Sequence, residues 1–231
     1  MSKKQHEHDP LDDVVVDVEQ VYSKTEEFIE NNKKSLSVIV GAVVVLVGLY
    51  LAYNNFYQAP RETESKSNMY AAEQFFAKDS FNLAINGDGV NYYGFLDIIE
   101  NYSGTKAANL ANYYVGVSYL RLGNYEQAIE YLKKFDGEDI IVSTMAIGLI
   151  GDAYSELGDD EQALEYYEKA SKHNANKFTT PYFLMKAAAT AERLGKYQDA
   201  YDNYSTIQKE YPESTEAREI EKYIERAKAH L

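Results

Sequence analysis

The chain has no cysteine among its 231 residues, so no disulfide can stabilise any part of it. A domain built from it outside the cytoplasm must be held together by packing alone. Basic residues are also scarce, since 23 Lys and Arg stand against 37 Asp and Glu, giving a formal net charge of −14. This excess of negative charge argues against a surface that binds nucleic acid or anionic lipid headgroups.

Motifs of the common catalytic and phosphate-binding sites are missing as well. GDGVNYYG (87–94) has neither the spacing nor the Lys-Ser/Thr pair of a phosphate-binding loop. No Gly-x-Ser-x-Gly and no His-Glu-x-x-His occurs. The acids Asp159 and Asp160 begin a predicted helix, where the helix dipole favours negative charge. HEHD (6–9) lies in a polar tail that we expect to be disordered. We therefore predict no enzyme, no cofactor, no metal and no small-molecule substrate.

One segment lacks charge altogether, because no charged residue stands between Lys34 and Arg61. Within it, the 18 residues 36–53 include 11 Leu, Ile or Val. As a helix these residues extend about 27 Å, close to the thickness of a bilayer's hydrocarbon core. We predict a single transmembrane helix over residues 35–57.

Two alternatives to a membrane span fit the sequence less well. A cleaved signal peptide has a short basic leader and an Ala-x-Ala-like cut site, whereas this leader is long and acidic and the apolar run ends in Tyr57-Gln58-Ala59-Pro60. A buried core helix carries polar residues every turn or two, and this segment offers only Ser37. Both comparisons favour an uncleaved membrane anchor.

The basic residues around the span indicate its orientation. Three lysines precede it, two of them directly, and the first basic residues after it lie farther away: Lys24, Lys33 and Lys34 before, Arg61 and Lys66 after. Cytoplasmic flanks carry the excess of Lys and Arg. We predict a cytoplasmic N-terminus and a C-terminal domain on the opposite side of the membrane.

Three later stretches align with one another around a glycine. They are YYVGVSYLRLGNYEQAIEYLKKF (113–135), GLIGDAYSELGDDEQALEYYEKA (148–170) and MKAAATAERLGKYQDAYDNYSTI (185–207). The glycines are Gly123, Gly158 and Gly195, and each is followed five residues later by an alanine: Ala128, Ala163 and Ala200. Glycine ends a first helix in a left-handed turn, and the alanines let the second helix pack closely on the first. Such pairs stack into an all-α solenoid.

The residues of these stretches resemble the tetratricopeptide repeat over roughly residues 108–212. The second stretch has the full pattern, with Ile150, Gly151, Tyr154, Gly158, Ala163, Tyr167 and Ala170. The first departs from it at Phe135, and the third has Ala188 and Ala191 in place of the helix-A Gly and Tyr but keeps Pro212. The resemblance implies a module that binds other proteins.

The chain is thus predicted to have five parts. They are an acidic, partly disordered cytoplasmic arm (1–34), the anchor (35–57), leading helices that form a degenerate repeat (58–107), three tetratricopeptide repeats (108–212) and a capping helix (213–231). We expect a first helix over about 62–84, a loop at 86–91 and a last helix over about 214–230. The arm residues 11–32 have helical periodicity, as either a plain juxtamembrane helix or a docking helix.

The concave wall of such a solenoid is lined by first-helix residues that lie between the packing positions. Candidate residues for a peptide groove are Tyr113, Tyr114, Val117, Arg121, Asp152, Tyr182, Met185 and Lys186. The Lys/Asn/Arg set with which some members of the family grip C-terminal carboxylates is absent. The mixed aromatic and charged wall suits extended, partly apolar segments. The alternative is that several of these tyrosines pack against neighbouring helices.

Small residues also recur on one face of the apolar segment. Gly41 and Gly48 are seven residues apart, and Ala52 continues their face by one turn. Small residues let membrane helices approach closely. We predict a transmembrane contact face at Gly41, Gly48 and Ala52, with chance alignment of common membrane glycines as the alternative.

The layout as a whole resembles the bacterial YfgM-like family, through an acidic arm with Phe28, Asn31 and Lys33, one span, a degenerate repeat and the stack. That resemblance implies an inner-membrane protein with a periplasmic domain, an ancillary factor or chaperone of the Sec translocon. Its partners would be translocon components and unfolded or emerging secretory chains. The alternatives are a scaffold subunit of another envelope machine (outer-membrane protein assembly, cytochrome maturation or secretion) and an organellar import receptor.

Overall fold

The computed structural model describes residues 18–231, and within that range it contains helices and no strand. The all-α prediction is confirmed. The chain divides into two compact units with the boundary between Tyr57 and Gln58. The predictions for the N-terminal tail, including HEHD (6–9), fall outside the described residues.

In the first unit, α1 runs without a break over Val18–Tyr53, 36 residues in all. From residue 18 onwards, the predicted arm helix and the apolar segment therefore belong to one continuous helix. The aliphatic side chains of the segment are exposed, with Val44 at 64% and Leu46 at 66% of their full accessibility. The apolar stretch is long enough to cross a membrane, and none of it is buried within the described part of the chain. A π-helical turn, Asn54–Gln58, follows.

The second unit consists of short helices in sequence. Its elements are α2 (Ala59–Ala77), α3 (Phe81–Asn86), α4 (Phe95–Asn101), α5 (Lys106–Arg121), α6 (Tyr125–Lys134), α7 (Ile140–Glu156), α8 (Asp160–Lys172), α9 (Thr179–Arg193), α10 (Tyr197–Glu210), a 3₁₀ turn (Glu216–Glu219) and α11 (Ile220–Lys228). From α4 onwards each helix packs mainly against the one before it and the one after it. This nearest-neighbour packing is that of a solenoid.

The three predicted repeats are the helix pairs α5–α6, α7–α8 and α9–α10. Their turn glycines Gly123, Gly158 and Gly195 have φ angles of 78°, 77° and 70°, the left-handed conformation that other residues adopt only with strain. Ala128, Ala163 and Ala200 are fully buried where the two helices of each pair meet. The turn chemistry and the close approach predicted from the repeats are both present.

The contact between successive pairs depends on a glycine that the repeat pattern does not require. A Cβ atom at Gly148 of α7 would lie 1.9 Å from the ring of Phe183, which comes from α9 and is 1% exposed. Because the ring fills that space, the second and third repeats interlock through an aromatic side chain packed on bare backbone. Dense packing of this kind is sensitive to the addition of one methyl group.

The helices at the two ends of the unit are shorter than predicted. The first helix ends at Ala77 rather than near residue 84, because Asp79 takes a positive φ of 55° and the Ser80 amide donates to the Phe75 carbonyl. This is a helix termination that glycine usually provides. At the other end the predicted helix over 214–230 is a 3₁₀ turn followed by α11, and its first turn is held by the Ala217 amide donating to the Ser214 hydroxyl.

Candidate functional site

A groove of about 580 Å³ lies between the first helices of the three repeats. Its lining comes from α5, α7 and α9, with one tyrosine each from α6 and α8. The residues are Val117, Leu120, Arg121, Tyr125, Met145, Leu149, Asp152, Ser155, Glu156, Tyr167, Tyr182 and Lys186. The repeat turns place all of these side chains toward one surface of the stack.

Five of the eight predicted groove residues line this groove: Val117, Arg121, Asp152, Tyr182 and Lys186. The structure places the other three elsewhere. The ring of Tyr114 stacks on Phe95 with centroids 4.8 Å apart, and Tyr113 contacts Phe135 at 5.4 Å. Burial raises the pKa of both hydroxyls above the usual tyrosine range. Met185 packs against the core formed by the C-terminal helices.

Asp152 is the polar centre of the groove. Its carboxylate accepts a hydrogen bond from the Tyr167 hydroxyl at 2.7 Å and one from the Lys186 ammonium at 2.8 Å. The Lys186 ammonium also lies 5.3 Å from the ring centres of Tyr167 and Tyr182, within range of a cation–π interaction. Burial, with the neighbouring Asp152 charge, raises the pKa of Tyr167 far above its ordinary value, so this hydroxyl stays protonated and remains a donor.

Arg121 differs from the other charged residues of the groove. Glu156 accepts a hydrogen bond from the Tyr125 hydroxyl at 3.3 Å, and Lys186 is paired with Asp152. Arg121 makes no hydrogen bond or ion pair with any residue in the described range 18–231. Its exposed guanidinium is therefore available to a ligand, and it lies beside the apolar side chains of Val117 and Leu120. The groove thus offers one free cation next to an apolar surface.

Several groove residues were not predicted. On α7 these include Met145, Leu149 and Glu156, which with Asp152 follow a spacing of four, three and four residues. That spacing places all four on one helical face. The sequence therefore contained enough information to predict them, because assigning Asp152 to the groove also assigns the residues three and four positions away on the same helix. Tyr125 and Tyr167 belong to second helices. The prediction assumed that only first helices line the wall, and it therefore missed these two residues.

The predicted contact face of the apolar helix is exposed in the first unit. Gly41, Gly48 and Ala52 all lie on the surface of α1, and a Cβ atom added at either glycine would meet no other atom within 4 Å. In the range 18–231 no group of three His, Cys, Asp or Glu residues is arranged to hold a metal ion. Of the predicted sites, the groove is the one that side chains from all three repeats form together.

Comparison with known families supports the repeats. Models of the tetratricopeptide repeat match residues 110–136, 146–176 and 182–214. These segments fall on the pairs α5–α6, α7–α8 and α9–α10, so the predicted tetratricopeptide repeats are confirmed. The comparison with curated proteins gave no match.

The solved structures that match this chain include two whose names mention TPR-like repeats or a chaperone binding region. The nearly identical TPR-like repeats of a Podosopora anserina protein named as a kinesin light chain are 12% identical, with 73% of this chain and 87% of that chain covered and a TM-score of 0.51. PcrH, solved in complex with the chaperone binding region of PopB, is 20% identical, with 56% of this chain and 98% of that chain covered and a TM-score of 0.42. At 12% identity, the likeness to the Podosopora anserina protein concerns the fold alone.

Proposed function

Because the chain contains tetratricopeptide repeats, we propose that it is a membrane-anchored protein-interaction module whose groove binds extended, partly apolar segments of other proteins. The observation that carries this proposal is that Arg121, which has no partner in the described range 18–231, lies next to an apolar surface inside one groove. Repeat solenoids use such concave surfaces for binding. The module is proposed to be non-catalytic.

The groove suits a peptide with one acidic and one apolar side chain close together. Val117, Met145 and Leu149 supply the apolar contact area, and Tyr182 adds an exposed ring at the edge. Arg121 would pair with a carboxylate, where its planar fork can donate two hydrogen bonds. Polar groups that line the groove are mostly satisfied by one another, so binding there would not require a buried charge to lose its partner.

We further propose that α1 anchors this module in the bacterial inner membrane, with the N-terminus in the cytoplasm and the repeats in the periplasm. Support comes from the uncharged, exposed apolar stretch and from the lysines that precede it. The resemblance to the YfgM-like family then favours a role as an ancillary factor or chaperone of the Sec translocon. Gly41, Gly48 and Ala52 are the proposed contact face toward a membrane-embedded partner.

The test places a photo-crosslinking amino acid in the groove at Tyr182 and, as a matched control, at Glu161, an exposed residue of the second helix α8. We expect the Tyr182 position to trap unfolded or newly secreted chains and the Glu161 position to trap far fewer. Arg121→Glu should lower the yield at Tyr182 several-fold without changing the melting temperature, since Arg121 is exposed. Equal yields at the two positions would show that the groove is not the binding surface.

Affinity purification of the full chain in a mild detergent identifies the membrane partner. Recovery of translocon subunits supports the proposal, and recovery of another envelope assembly complex instead would support the scaffold alternative. Replacing the apolar stretch by polyleucine should keep the chain in the membrane and abolish copurification. If the partner still copurifies, the contact face at Gly41, Gly48 and Ala52 is not the site of recognition.

A further inference from the structure

A second cavity of about 600 Å³ lies at the N-terminal end of the solenoid, away from the groove. One side of it is the surface of α2, and the other is the loop over residues 87–94 with the start of α4. None of its lining residues belongs to the three repeats. The function proposed for the groove therefore does not account for this cavity.

The cavity is lined by three solvent-exposed tyrosines. Tyr70 comes from α2 and is 63% exposed, while Tyr92 and Tyr93 come from the loop and are 54% and 43% exposed. Exposed aromatic rings gathered around one cavity are a feature of binding surfaces, since the rings supply contact area at a small cost in conformational entropy.

The loop that carries two of these tyrosines is held in one shape by its own hydrogen bonds. The Asp88 carboxylate accepts from the backbone amides of Val90, Asn91 and Tyr92, at 3.0, 2.7 and 2.8 Å. The Asp88 amide in turn donates to the Tyr92 carbonyl at 3.3 Å. The rings are thus presented by an ordered backbone, which reduces the entropy lost on binding.

The charge of the cavity has one sign. Among the lining residues of the described chain, Asp97 carries a charge and none is a Lys, Arg or His. One oxygen of Asp97 accepts from the Gly94 amide at 2.9 Å, and within the described chain the other has no hydrogen bond. Ser67 and the side-chain amides of Asn68, Asn86 and Asn91 complete the polar lining. The NH₂ groups of these three asparagines donate within the chain, to the Tyr102 hydroxyl, the Asn82 carbonyl and the Asp88 carboxylate. Aromatic faces and a carboxylate together favour a cation.

We propose that this cavity binds the side chain of a lysine or arginine in a basic segment of a partner protein. The cation would lie against the tyrosine rings and near the Asp97 oxygen that has no hydrogen bond in the described chain. The side-chain carbonyl oxygens of the asparagines would accept hydrogen bonds from the partner's backbone amides. The cavity is much larger than a single ammonium group, so it has room for the flanking main chain. The net charge of −10 carried by residues 54–231 draws a basic segment toward this surface.

The test uses the full chain in a non-ionic detergent, with ¹³C-labelled tyrosine rings observed by NMR. The resonances of Tyr70, Tyr92 and Tyr93 are assigned from the three Tyr→Phe variants. Three probes are titrated at constant ionic strength: a blocked peptide Gly-Lys-Gly, the same peptide with norleucine for lysine, and tetramethylammonium. We expect the lysine peptide to shift these three resonances and to bind at least about fivefold more tightly than the norleucine peptide, as a cation–π contribution of this kind implies.

Variants separate the cavity from the groove. Tyr70→Leu and Asp97→Asn should each weaken binding of the lysine peptide about three- to tenfold. Tyr182→Leu, which removes an exposed tyrosine of the groove instead, should leave it unchanged. Tyr70 is exposed on the surface of α2, so its variant stays folded and remains informative even if Asp97→Asn does not.

Three results would overturn the proposal. Equal affinity for the lysine and norleucine peptides would mean that the cavity recognises apolar side chains. Tetramethylammonium binding as tightly as the lysine peptide would mean that the ligand is a small cation and not a protein segment. The absence of shifts at all three tyrosines would mean that the cavity binds none of these cations.

Discussion

The hydroxyl of Tyr167 donates to the carboxylate of Asp152 at 2.7 Å and so ties the second helix of the middle repeat to its first helix. Lys186 of the following repeat donates to the same oxygen at 2.8 Å. One carboxylate therefore joins α7, α8 and α9 at the wall of the groove. The shape of the binding surface and the packing of the repeats depend on the same residue.

Asp152→Ala should destabilise the second unit by about 1–3 kcal/mol, because it leaves the buried Tyr167 hydroxyl without its acceptor. Urea denaturation followed by circular dichroism measures the difference. Asp152→Asn keeps an acceptor for the hydroxyl and should cost less. If the alanine variant is as stable as the parent, the hydrogen bond does not contribute to the fold.

Gly148→Ala should also destabilise the protein by about 1–3 kcal/mol, since the new methyl group overlaps the ring of Phe183. Alanine is the better helix former, so without the overlap the change would stabilise α7. In a Phe183→Leu background the smaller side chain leaves room, and the cost of Gly148→Ala should fall. A higher melting temperature of Gly148→Ala in the parent chain would contradict the close contact.

Arg226→Ala tests how α11 is attached. Arg226 donates to both carboxylate oxygens of Glu192 in α9, and Glu192 also accepts from the buried Tyr204 hydroxyl at 3.1 Å. We expect a loss of about 1 kcal/mol, because Glu192 keeps only one of its partners. Lys222→Ala is the matched control, since its pair with Glu219 joins two exposed residues of one helical turn and such pairs contribute little. If the two variants lose equal free energy of unfolding, the ion pair between Arg226 and Glu192 contributes no more than an exposed surface pair.

The loop over residues 87–94 should lose its order in acid. Hydrogen bonds from the amides of Val90, Tyr92 and Asn91 lower the pKa of Asp88 from its ordinary 3.8 to about 2. A lowered pKa means that the stabilisation is complete above pH 4 and is lost as the pH falls toward 2. Hydrogen exchange at these amides, or their chemical shifts, should follow that interval. Asp88→Ala should produce the same loosening at pH 7, and amides that stay protected in this variant would contradict the assignment.

The orientation of the chain is tested with single cysteines, for which the cysteine-free sequence gives no background. We expect a membrane-impermeant maleimide to label Ser103→Cys, at an exposed turn, in cells with a permeabilised outer membrane. Ser2→Cys should be labelled only after the inner membrane is disrupted. The reverse pattern would place the repeats in the cytoplasm and contradict the proposed localisation.

The repeats could be predicted from sequence because their physical requirements leave few choices of residue. A left-handed turn calls for glycine, as at Gly158, and a tight helix crossing calls for a small side chain, as at Ala163. These requirements recur three times at a nearly constant spacing. The end of the helix at Ala77 could not be predicted in the same way. The left-handed residue that follows it is Asp79, and no glycine marks the turn in the sequence.

The groove was less predictable than the repeats. The pattern of α5 alone does not tell whether Tyr114 faces the groove or the neighbouring helix, and the answer depends on Phe95. Phe95 comes from α4, which precedes the matched repeats and has no counterpart in their pattern. Side chains from second helices, such as Tyr125, reach the groove only once the pairs are stacked. Knowledge of a tertiary neighbour was needed in each case.

The nearest-neighbour packing of the helices has a consequence for synthesis. A chain made from its N-terminus can bury each pair as soon as the next helix in sequence is available to cover it, without waiting for distant residues. The last pair is covered by α11 in place of a further repeat, because Tyr204 and Ile207 share their core with Ile220 and Ile224 of that helix. A chain truncated before residue 220 would keep its earlier repeats folded. The apolar side chains of its last pair, including Tyr204 and Ile207, would be exposed to quality-control proteases.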